Sequence, residues 1–61
     1  MTDEEIRHDF EILIRAKGGD PEKYFAFIDV LKAKYEVDSM LDVMTRMSPE
    51  EKAALSELSH G

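Results

Sequence analysis

The chain of 61 residues contains no cysteine, so disulfides and thiolate metal sites are excluded. That composition fits a reducing compartment. Two histidines are too few for an ordinary histidine-based structural zinc site. No apolar run approaches the ~20 residues that a membrane span needs. Basic residues are scarce: eight Lys and Arg stand against fourteen Asp and Glu, a formal net charge of -6. Such a surface disfavours a phosphate backbone and an anionic bilayer. The opening Met1-Thr2-Asp3-Glu4-Glu5 is acidic and polar, unlike a signal peptide. No nucleophile–base–acid set and no Gly-rich phosphate loop is visible, and so short a chain leaves little room for an enclosed pocket. We therefore expect a soluble cytoplasmic protein that is not an enzyme, holds no cofactor or metal, and touches neither nucleic acid nor membrane directly.

Apolar residues make up 43% of the chain, too many for a disordered segment, and they recur periodically. A domain this small buries only about 60% of the surface its unfolded chain exposes. Small folds usually add disulfides, a metal or oligomerisation. Oligomerisation is the one left.

The spacing predicts an all-α fold of three to four short helices. Thr2 and Glu5 form a capping box, Ile6, Phe10 and Leu13 make a stripe flanked by Ile14, and Gly18-Gly19 supplies the stop. The first helix is expected over about 3–17, with Asp3–Arg7 and Glu11–Arg15 as acid-before-base pairs. Ile12 lies off the stripe. Asp20 is the next N-cap and Pro21 takes the first helical position, giving a helix over 21–35. The link between these helices is short enough to make them an antiparallel hairpin. Asp38 and Ser39 read as the cap of a third helix, 39–47. An unbroken helix from 21 to 47 is the alternative, since Ala26, Val30, Ala33, Val37, Met40, Met44 and Met47 keep heptad spacing. Ser48-Pro49-Glu50-Glu51 is a second capping box, opening a helix over 49–59 with Ala54, Leu55 and Leu58 inward. All of this fits one domain.

The second helix carries two apolar stripes. Tyr24, Ile28, Leu31 and Tyr35 form one; Ala26, Val30, Ala33 and Val37 form the other, about half a turn away. A helix wet on one side needs one stripe. We therefore expect a homodimer whose interface includes Ala26, Val30, Ala33 and Val37. Met40, Met44 and Met47 share a face, and methionine surfaces bind helices adaptably. With Phe25 or Phe27 they are the candidate partner-binding residues; the structural alternative is that they fill the core.

Weaker patterns carry other chemistries. Glu5 with His8 and Glu57 with His60 have the Glu-x-x-His spacing of di-iron bundles, but Glu5 also serves the capping box. Leu31 to Met44 looks superficially like a helix-turn-helix, yet its second helix carries Asp38 and Asp42 with only Arg46 basic. Asp38-Ser39-Met40 resembles the Asp-Ser-Leu/Met motif at which acyl carrier proteins receive phosphopantetheine, and that resemblance implies a carrier modified on Ser39. Glu36 stands where that family commonly has a glycine, and a patterned helix stands where it has a long loop. The spread of acidic residues also suits an acidic mimic of nucleic acid that blocks a nuclease or DNA-binding protein; a solvated surface explains it as well. The reading most consistent with the whole pattern is a small acidic protein–protein interaction module, a regulator or inhibitor of a larger protein.

Overall fold

The computed structural model describes residues 2–60. Its elements are four helices: α1 (Asp3–Ala16), α2 (Pro21–Tyr35), α3 (Met40–Arg46) and α4 (Pro49–Ser59). Each boundary has a local cause. The Thr2 side chain accepts from the Glu5 amide at 3.3 Å, and three acids in the first turn suit the positive end of the α1 dipole. At the other end Gly18 takes φ 80°, its amide bonds the Arg15 carbonyl, and the Gly19 amide reaches back to the Ile14 carbonyl at 2.9 Å. This pair of bonds is the Schellman stop. Asp20 then accepts from the amides of Glu22 and Lys23, with Pro21 opening α2.

α2 does not continue through residue 47. Glu36 turns into the left-handed region, φ 55°, and the Val37 amide bonds the Lys32 carbonyl. A glutamate there carries the steric cost that glycine avoids. Ser39 restarts the chain as N-cap of α3, its hydroxyl accepting from the Asp42 amide at 3.1 Å. Ser48 and Glu51 form both halves of the capping box that opens α4.

α2 lies at the centre and packs against α1, α3 and α4. The core is Ile14, Tyr24, Ile28, Leu31, Met40, Val43, Met47 and Leu55. Leu13 does not face this core as the stripe suggested. It is 52% exposed, and Ile14 is buried in its place at 3%. The 6, 10, 14 row of α1 meets α2, so Leu13 falls to one side. The expected Asp3–Arg7 pair is replaced by longer-range partners. Asp3 bonds Lys32 at 3.1 Å, and Arg7 reaches Asp29 at 3.4 Å while lying over the Phe25 ring. Glu11–Arg15 forms as expected, at 3.1 Å.

The end of α4 returns to the α1–α2 turn. The Leu58 carbonyl accepts from the Asp20 amide at 3.1 Å, and Gly18 and His60 form an isolated antiparallel bridge. The result is a slab, 30 × 27 × 15 Å along its principal axes. A slab that thin packs α2 against neighbours on one side and leaves its other side bare.

Candidate functional site

The bare side of α2 is where the second apolar stripe lies. Residues four and three apart share a helix face, so Ala26, Val30 and Ala33 project opposite Tyr24, Ile28 and Leu31. All three are exposed, and Val30, the largest, is 64% exposed. The same helical geometry places Glu22 and Asp29 along one edge of this stripe and Lys23 and Lys34 along the other; all four are exposed. Val37 leaves the stripe. It lies beyond the Glu36 stop and packs, half-buried, against the core. The heptad register that would have kept it in line ends where α2 ends.

The methionines divide. Met40 is 0% exposed and Met47 8%, so both are core residues that hold α3 beneath α2. Met44 alone is half-buried, and it borders a groove together with Tyr24, Met47, Lys52, Leu55 and Ser56. Phe25 and Phe27 are half-buried against the core, and Phe25 makes an edge-on contact with Tyr24 at 5.4 Å. The five residues expected to form a single partner-binding face thus do not lie together on the surface. Their spacing was compatible with core or surface, and tertiary packing chose core for two of them.

Two polar clusters hold the helices in place, and neither was visible in local sequence. At the first, the Asp3 carboxylate accepts from the Met40 amide at 2.9 Å and from Lys32. The Met40 amide bond, with Lys32 and Arg7 adding to it, holds the Asp3 carboxyl below its ordinary range. At the second, Glu51 accepts from Lys34 at 2.6 Å, from the Tyr35 hydroxyl, and from the Ser48 amide at 2.9 Å. The Lys34 hydrogen bond leads, followed by those from Tyr35 and Ser48, and together they lower the Glu51 carboxyl to about 2. The same contact with Glu51 raises both Lys34 and Tyr35. Glu51 was legible as a capping-box residue; its reach to the far end of α2 was not.

Among the described residues no group of three or more His, Cys, Asp or Glu is placed to hold a metal ion. The His60 backbone is engaged with Gly18 and with the Glu57 carbonyl. The Ser39 hydroxyl serves as the α3 cap. No helix among the described residues is long and apolar enough to cross a membrane. Comparison of the chain with protein-family models, with curated proteins and with solved structures finds no match.

Proposed function

We propose that this chain is a small helical interaction module that pairs with a second copy through the outer face of α2 and acts as a regulator or inhibitor of a larger protein. The observation that carries this reading is Val30, an apolar side chain left 64% exposed between two alanines at the middle of the most apolar helix. Ala26 and Ala33 let another backbone approach closely, as flat packing of one helix on another requires.

The charged edges support self-pairing. One edge carries Glu22 and the other Lys23, neither in an ion pair among the described residues, while Asp29 and Lys34 on the same two edges are already engaged by Arg7 and Glu51 within the chain. A two-fold axis parallel to α2 sets the acidic edge of each copy against the basic edge of the other. An axis that makes the two helices antiparallel sets like against like. The parallel arrangement is therefore the favoured one. A standard interface buries about 800 Å² per partner, close to a fifth of the 4165 Å² surface of this chain. The stripe alone is smaller than that, so we expect a reversible dimer.

Sedimentation velocity over a concentration series tests the reading. The parent chain should shift from monomer to dimer at micromolar concentrations, and Val30→Asp should stay monomeric with an unchanged helical spectrum. A parent chain that remains a folded monomer throughout would remove the basis for this function.

A further inference from the structure

The groove beside Met44 has a composition that the pairing face does not explain. Its apolar lining is Met44, Met47 and Leu55, and its polar groups come from Tyr24, Lys52 and Ser56. Its volume is about 310 Å³. That is at the small end of ligand sites.

Of the side-chain donors at this groove, Lys52 and Tyr24 are the two that suit an anion. Lys52 is exposed and makes no ion pair among the described residues. Tyr24 is 7% exposed, and its hydroxyl has no hydrogen-bond partner among the described residues. No fully buried polar side-chain atom among the described residues is left unpartnered, so the Tyr24 hydroxyl keeps some contact with the surface. Burial pushes the Tyr24 phenol up, which keeps it a donor across the neutral range. A groove whose lining includes a lysine, a tyrosine and two methionines has the chemistry to take a carboxylate on an aliphatic chain. The net charge of -6 sets an upper limit on the ligand's charge. A monoanion meets one local cation, whereas a phosphate dianion meets the same cation and twice the repulsion from the rest of the surface.

We propose that this groove binds a medium-chain aliphatic monocarboxylate, its chain lying on Met44, Met47 and Leu55 and its carboxylate accepting from Lys52 and Tyr24. The site is separate from the α2 pairing face and does not depend on it. Octanoate is the natural probe, a small aliphatic monocarboxylate suited to a site at the small end of the range.

Methyl-detected NMR titration tests the site, with 1-octanol as an uncharged probe of equal chain length. Octanoate should shift the Met44, Met47 and Leu55 methyls saturably. Lys52→Gln should weaken octanoate about tenfold, the usual scale for a charged hydrogen bond, while leaving octanol binding unchanged. Lys52 is exposed, so this variant retains the fold, and an unaltered helical spectrum checks that it does. Val30→Asp should bind octanoate as the parent does, which separates this site from self-association. The proposal is overturned if the groove methyls do not saturate, if Lys52→Gln leaves octanoate affinity intact, if octanol binds as tightly as octanoate, or if Val30→Asp abolishes the shifts.

Discussion

Gly19 sits where the end of α4 comes back against the α1–α2 turn. A Cβ built there would lie 2.6 Å from the Ser59 carbonyl carbon and oxygen, and 2.7 Å from the Leu58 oxygen. These are backbone atoms at a helix end already fixed by the Asp20–Leu58 hydrogen bond, so they cannot swing aside as a side chain could. The glycine is needed for close approach here, in addition to the stop that Gly18 supplies with its positive φ. Gly19→Ala should therefore force α4 outward and break that hydrogen bond. The expected cost is about 2 kcal/mol, the range of an overpacked contact plus a lost bond, read as a lower urea midpoint with exchange protection lost first at the Asp20 amide. A variant as stable as the parent, with Asp20 still protected, would show that α4 is not anchored at this turn.

The helices themselves were legible because their ends are written locally. Thr2, Asp20, Ser39 and Ser48 each accept from the amide two or three residues on, and two prolines sit at first helical positions. The break after Tyr35 was favoured from Asp38 and Ser39, though the residue that makes the turn is Glu36, for which sequence offered no signal. How the helices dock was not legible. Leu13 and Ile14 are neighbours of equal hydrophobicity, and only the line of approach of α2 decides which one is buried. Met40 and Met47 fitted either a face or a core. The partners of Asp3, Arg7 and Glu51 lie on other helices, beyond the reach of any spacing rule. Glu51 has the largest consequence. It joins the start of α4 to the end of α2, and its carboxyl titrates at about 2 against an ordinary value of 4.5. A lowered folded value adds stability above the ordinary value and loses it as pH falls from 4.5 toward about 2. Asp3 is lowered too and acts in the same sense. Acid should therefore loosen α4 across that window. Glu51→Gln should be less stable than the parent at neutral pH and should show a shallower loss through the same range, followed by urea unfolding at stepped pH. An unchanged slope would mean that Glu51 is not the residue coupling α4 to protonation.

At the scale of the whole molecule, a core cluster of eight side chains carries a fold of 61 residues. Net stability for a chain of this length is roughly 3–9 kcal/mol. Truncating a buried methionine to alanine costs about 2–5 kcal/mol, a large share of the whole. Met40 is the sharpest case. It is fully buried, and α3 buries only Met40 and Val43 along its seven residues. α3 has no long stretch of backbone hydrogen bonding to fall back on, and its first amide is tied to Asp3 on another helix. Loss of the Met40 side chain should thus release α3, uncover the floor beneath α2 and lower the thermal midpoint by at least about 10 °C. Val30→Asp, on the opposite face, should leave the midpoint of the isolated monomer nearly unchanged, because an exposed side chain contributes little to packing. Thermal unfolding of both variants, at concentrations where the chain is monomeric, separates the two faces of α2. A Met40→Ala chain that melts within a few degrees of the parent would mean that this methionine is not holding the core, and would return it to the surface as a side chain free to meet a partner.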